Sequence, residues 1–169
     1  AQSGAFGMPT TVNNLESIAT VPLIMRMEGE EFSKLSSLHP RDGGCRLFGV
    51  SGHVNTPGIY ECAVGLTLRE LIYDLGGGVK GGELLAVIPG GSSTPILRPE
   101  ELVDAPAEDH PLHEWHGKSV LDVPMGVDTM RALGTMLGTC CAIVLSTQAC
   151  PVRAMHNLMR FYRHESCGQ

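Results

Sequence analysis

Residues 46–75 read RLFGVSGHVNTPGIYECAVGLTLRELIYDL, and the fold hangs on them. Two short runs, Arg46-Leu-Phe-Gly-Val-Ser51 and Gly58-Ile-Tyr-Glu-Cys-Ala-Val64, read as strands joined by the turn Asn55-Thr-Pro-Gly58. A helix signal follows at Thr67-Leu-Arg-Glu-Leu-Ile-Tyr-Asp-Leu75. Thr67 and Glu70 stand at capping-box spacing, where each side chain can satisfy the other's backbone N–H. Leu68, Leu71, Ile72 and Leu75 fall at i, i+3, i+4 and i+7, which puts all four on one face. Gly76 then stops the helix.

Working outward, Leu84-Leu-Ala-Val-Ile88 is a third strand and Cys140 to Leu145 a fourth. Two strands, a packed helix and further strands describe a small α+β domain of the β-grasp, ubiquitin-like kind with flanking helices. Upstream, Asn13 or Asn14 can cap a short helix, which Pro22 restarts or kinks. Residues 29–38 place Phe32, Leu35 and Leu38 at helical spacing, and 39–44 read as a linker. Residues 98–124 are acidic and proline-rich and are expected to form an exposed excursion. After Pro151 a last helix carries Val152, Met155, Leu158, Met159 and Tyr162 on one stripe, with Arg153, Arg160 and Arg163 on its polar side.

A chain of 169 residues can hold one domain with a proper core and flanking pieces. The net charge of −6 argues against a nucleic-acid partner, because phosphate binding needs clustered Lys and Arg. No apolar run is long enough to span a bilayer, so direct membrane insertion is not expected, and no signal-peptide pattern opens the chain. A start on Ala1 rather than Met is read as a sign of processing or excision from something longer. The six cysteines show neither disulfide-framework spacing nor a Cys-x-x-Cys pair. Cys140 and Cys141 lie in an apolar run and read as small core residues, in a reducing compartment.

Several shorter patterns are weaker. Gly76-Gly-Gly-Val-Lys-Gly81 matches G-x-G-x-x-G, yet it follows a helix, whereas a dinucleotide site lies between a strand and a helix; a glycine-rich loop accounts for it better. Gly117-Lys118-Ser119 resembles the end of a phosphate loop, but Leu112 stands where the first glycine belongs. His110, His113 and His116 surround Pro111 without the carboxylate or cysteine spacing of a zinc site, and read as a solvated loop. Pro89-Gly-Gly-Ser-Ser-Thr-Pro95 can cradle an anion on its backbone N–H groups or can be a tight crossing between elements; the residues leave both open. By composition alone, Cys167 is a lone thiol.

The blocks FGMPTTVNNLES, LFGVSGHVNTPGIYE, LRELIYDLGGG, LLAVIPGGSSTP and FYRHESCGQ occur in this order. Together they resemble the flavin-binding subunit of respiratory complex I and its relatives in NAD-linked hydrogenases and formate dehydrogenases. The resemblance covers nearly the whole chain, with a gap at 98–124, and only the C-terminal part of that subunit. It implies three parts: the tail of a flavin-binding domain with connecting helices at 1–44, a soluble-ligand-binding β-grasp domain at 45–146, and the first helix of an iron–sulfur bundle at 147–169. Asn14, and less directly Asn13, match the stretch that contacts flavin mononucleotide. Cys167 matches the first ligand of a [4Fe-4S] cluster in a pattern resembling Ser-Cys-Gly-x-Cys-x-x-Cys. No residue is matched as catalytic.

The function implied is support of electron transfer from NADH through FMN to a [4Fe-4S] cluster. Both cofactors would be completed by residues outside this chain, so NADH:quinone oxidoreductase activity is not expected of it alone. Its partners would be other redox subunits, including polypeptides that carry the missing flavin domain and cluster cysteines. Its place would be peripheral, on the matrix side of the mitochondrial inner membrane or the cytoplasmic side of a bacterial one. A non-catalytic structural subunit and a stand-alone β-grasp ligand-binding module are the rival expectations.

Overall fold

The computed structural model describes residues 2–168. Strand β1 (Cys45–Gly52) pairs antiparallel with β2 (Gly58–Ala63), with Arg46 opposite Cys62 and Val50 opposite Gly58. On its other side β1 runs parallel to β4 (Cys141–Ser146), which pairs antiparallel with β3 (Leu84–Ile88). The sheet order is therefore β2-β1-β4-β3. Its central parallel pair joins the first and last strands, with β2 and β3 at the edges, so the helical segment between β2 and β3 crosses over one face. That is the expected α+β, β-grasp arrangement.

Alternation along the strands decides which face is dry. Phe48 and Val50 of β1 and Ala142 and Val144 of β4 point into the core, while Leu47 and Ile59 point outward and stay exposed. Against the inner face lies the helical segment that starts at Leu68. The capping box is formed: Thr67 N–H donates to Glu70 Oε2 at 2.8 Å, and Glu70 N–H donates to Thr67 Oγ1 at 3.1 Å. Over Glu70–Leu75 the bonding becomes π-helical, and Gly76 N–H reaches back to the Leu71 carbonyl at 2.9 Å. Leu68, Leu71 and Ile72 are each 0% exposed, as their spacing predicts.

The triple glycine is a docked loop after that helix, as its place in the sequence suggests. Gly77, at φ +68, reverses the chain, and Asn55 of the hairpin turn donates to the Gly77 and Gly78 carbonyls. Tyr60 Oη locks the same corner, lying 2.9 Å from the Thr56 carbonyl and 3.0 Å from that of Leu75.

Several expectations need correction. Residues 98–124 are not an exposed excursion: Val103, Ala105, Leu112, Val120, Leu121 and Val123 are each no more than 4% exposed and belong to the main core. Their apolar residues are scattered among acids and prolines, so no period betrays them. The three histidines are solvated as expected, His113 and His116 exposed and His110 half-buried, but their rings also bind backbone. His116 Nδ1 accepts the Ala105 N–H at 3.1 Å, His113 Nδ1 lies 3.2 Å from the Ala105 carbonyl, and His110 Nδ1 accepts the Leu112 N–H at 3.1 Å. These rings satisfy backbone groups of two buried residues. Residues 29–38 give only the short helix α2 (Gly29–Ser33). Beyond it Ser36 turns inward, its Oγ 2.6 Å from the Asp42 carbonyl and 2.8 Å from that of Val64, which a continuing helix would not allow. Pro22 does not restart the helix: α1 (Leu15–Met27) runs through it.

A short helix α3 (Val127–Ala132) precedes β4, and α4 (Pro151–Glu165) follows it. Neither α1 nor α4 has a fully buried residue. The stripe expected on α4 is split. Ala154, Leu158 and Tyr162 are half-buried, while Val152, Met155 and Met159 stay exposed. Cys141 is likewise half-buried rather than a core residue, whereas Cys140 is buried.

Candidate functional site

Asn14 stands at the N-cap of α1, in extended conformation, but its side chain makes no capping bond. Asn14 instead borders a cleft of about 610 Å³ between α1, α2 and the start of the sheet, together with Glu16, Thr20, Arg46, Thr139 and Cys140. Asn13 is exposed and lies outside that lining, so the structure brings only one of the two asparagines to the cleft.

Glu16 fixes the roof of the cleft. Gly49 N–H points to the Cys140 carbonyl at 2.9 Å, so Leu47 N–H, two residues back, points the same way beyond the end of β4. Glu16 Oε1 accepts from that donor at 2.8 Å. The floor is held by Arg46, whose guanidinium pairs with Asp42 at 2.7 Å, while Asp42 Oδ2 accepts Val127 N–H at 3.0 Å. Cys140 adopts φ +58, uncommon for a residue with a side chain. Burial pushes its thiol pKa up, with Arg46 opposing in part. Burial first, and then the Glu61 carboxylate, push Cys45 up as well. Both shifts favour the neutral thiol at neutral pH, so neither is an activated thiolate.

The Pro89–Pro95 loop is a crossing rather than an open cradle. Gly90 N–H donates to Thr94 Oγ1 at 3.1 Å, and Thr94 N–H donates to the Gly91 carbonyl at 3.0 Å. A Cβ on Gly90 would run into the Met136 and Leu137 carbonyls, and one on Gly138 would strike the Gly90 carbonyl. Thr139 N–H closes the contact onto the Gly90 carbonyl at 2.9 Å.

Cys167 lies just past the end of α4, exposed and free of any disulfide. Gly168, at φ +80, bends the backbone there, and its N–H donates to Ser166 Oγ at 3.1 Å. Such a thiol is available as one ligand of a metal centre and no more. The other exposed cysteine, Cys150, is at the far end of α4, roughly 20 Å away at the helical rise per residue. Among the described residues no group of three or more His, Cys, Asp or Glu is placed to hold a metal. The donor set thus fits a four-thiolate cluster only as a single contributed ligand.

Sequence reasoning missed Glu16, Arg46 and the 138–140 backbone as cleft walls. Local patterns carry no sign of them, because the Glu16–Leu47 and Gly49–Cys140 contacts bridge distant parts of the chain.

Residues 46–123 match the family described as the SLBB domain. That match runs through the stretch where the sequence resemblance is interrupted. The NADH-quinone oxidoreductase F subunit of Rhodobacter capsulatus is 43% identical over 171 residues, covering 100% of this chain. The protein of the same name in Rickettsia akari is 41% identical over 98% of the chain. This chain spans only 35% of the length of either relative. An NAD+-reducing [NiFe]-hydrogenase in the air-oxidized state superposes on 99% of the chain with a TM-score of 0.71 at 27% identity, and covers it with 24% of its own length. Among the described residues no helix is long and apolar enough to cross a membrane. End to end, the chain is similar to the C-terminal part of the NADH-quinone oxidoreductase F subunit, and its β-grasp core matches the SLBB domain.

Proposed function

We propose that this chain supplies an NADH-oxidising flavoprotein subunit with its SLBB domain, with Asn14 at the edge of the flavin site, and with Cys167 as one thiolate of a [4Fe-4S] cluster. The observation that carries this reading is the unbroken similarity to the NADH-quinone oxidoreductase relatives, with the exposed Cys167 at the end of α4. The groups concerned would supply hydride acceptance at a flavin and single-electron passage at a cluster. The chain's own residues bind and orient. The Asn14 amide can both donate to and accept from a ligand at the cleft, with Asn13 as a neighbour outside the lining. Cys167, exposed at the end of α4, offers the soft donor such clusters prefer.

The remaining ligands of FMN and of the cluster would come from residues outside this stretch, and the partners would be the other redox subunits of the assembly. The chain would sit peripherally on the membrane-bound assembly. The bacterial sources of the relatives favour the cytoplasmic side of a bacterial membrane over the mitochondrial matrix.

The test is Cys167→Ser in the assembled complex, read by electron paramagnetic resonance. Loss or shift of one [4Fe-4S] signal is expected, with flavin content near normal, because three thiolates and a harder oxygen hold the cluster less well. An unaltered spectrum in a fully assembled variant would turn the assignment toward a purely structural subunit. The chain alone should show no NADH oxidation with an artificial acceptor.

A further inference from the structure

One continuous path through the fold joins the Asn14 cleft to Cys167. Gly138, Thr139 and Cys140 form a wall of the cleft. Thr139 binds the Gly90 carbonyl through its N–H at 2.9 Å and through Oγ1 at 3.2 Å, and Gly90 and Gly138 cross too closely for any side chain. Two residues on from Gly90, Ser92 Oγ lies 2.6 Å from Tyr162 Oη. Tyr162 is in the last turn of α4, and its carbonyl accepts the Ser166 N–H at 3.0 Å, directly before Cys167.

The rest of α4 is held loosely. It has no fully buried residue, and only Ala154, Leu158 and Tyr162 lie half-buried along it. Among the described residues, Ser92–Tyr162 is the one hydrogen bond that ties the α4 helix to the SLBB body. Packing by itself leaves the helix free to slide or tilt, and a short hydroxyl–hydroxyl contact near its end removes that freedom.

We propose that the Ser92–Tyr162 hydrogen bond is the positioning link that fixes Cys167 relative to the Asn14 cleft. Tyr162 acts through the helix end, as a positioning residue. The inference rests on the reading of Asn14 and Cys167 given above. If that reading holds, the Gly90–Ser92 loop is the spacer between the flavin side and the cluster side of the assembly.

Two measurements test it. In the 169-residue chain, Tyr162→Phe and Ser92→Ala should each speed amide hydrogen exchange across 155–166 by roughly five- to tenfold, the loss of one net hydrogen bond. Amides of β1 and β4 should not change, and the double variant should exchange no faster than either single one. Unchanged exchange, or fully additive effects, would overturn the link. In the assembled complex, Tyr162→Phe should keep cluster and flavin content while shifting the g-values or the reduction potential of the cluster that Cys167→Ser alters. A loosened helix with an unshifted cluster would overturn the positioning role. A cluster signal left unaltered by Cys167→Ser would sink the underlying assignment, and the cluster half of this inference with it, while leaving the exchange result to stand alone.

Discussion

The β-grasp core and the two terminal helices obey different rules. In the core, the helix face of Leu68, Leu71 and Ile72 meets Phe48, Val50 and Val144, all of them buried. On α1, by contrast, Leu15 is 81% and Met25 79% exposed, and on α4 Val152 is 77% exposed. The core holds itself by burial. The helices are placed by single polar contacts, Glu16 to Leu47 N–H for α1 and Tyr162 to Ser92 for α4. An element that buries little of its apolar surface has its position set by whatever else touches it.

That contrast can be broken by mutation. The largest effect is expected from Leu71→Ala, which should destabilise the chain by roughly 2–5 kcal/mol in urea denaturation. Gly90→Ala comes next, at about 2–3 kcal/mol, because the new Cβ meets two carbonyls that cannot withdraw. A neutral result there would show that the 89–95 and 136–140 loops can part.

Smaller effects sharpen the picture at the edges of the core. His113→Ala leaves the buried Ala105 carbonyl without the imidazole and should cost about 1 kcal/mol, more than a surface histidine without a backbone partner would. Glu16→Ala should cost a similar amount, about 1 kcal/mol, with faster exchange of the Leu47 amide, whose acceptor it removes. Smallest of all, Leu158→Ala, half-buried under α4, should cost about 1 kcal/mol or less. A loss equal to that of Leu71→Ala would show that α4 belongs to the core after all.

The legible parts of this molecule are those whose cause is local. The Thr67–Glu70 box, the glycine stop after Leu75 and the four strands are all readable, since each depends on residues within a few positions. The 98–124 stretch misleads for the opposite reason. Its composition is that of a solvated loop, and only the irregular path that drops Val103, Leu112 and Leu121 into the core makes it part of the domain. The histidines there are equally opaque, because an imidazole that binds a backbone group eight or eleven residues away leaves no spacing rule. At the candidate site, Asn14 and Cys167 can be singled out only through resemblance, and Asn13 does not reach the cleft.

By itself the sequence determined the strands, the capped helix, the β-grasp class and the family resemblance, because short-range periodicity and contiguous motifs are carried by neighbouring residues. The tertiary structure alone decided which walls surround Asn14, that the Pro89–Pro95 loop is a crossing, and that α4 hangs from the Ser92–Tyr162 contact. Those features come from groups tens of residues apart, joined when the parallel β1–β4 pairing closes the sheet, and the free energy of such contacts is written in no local pattern.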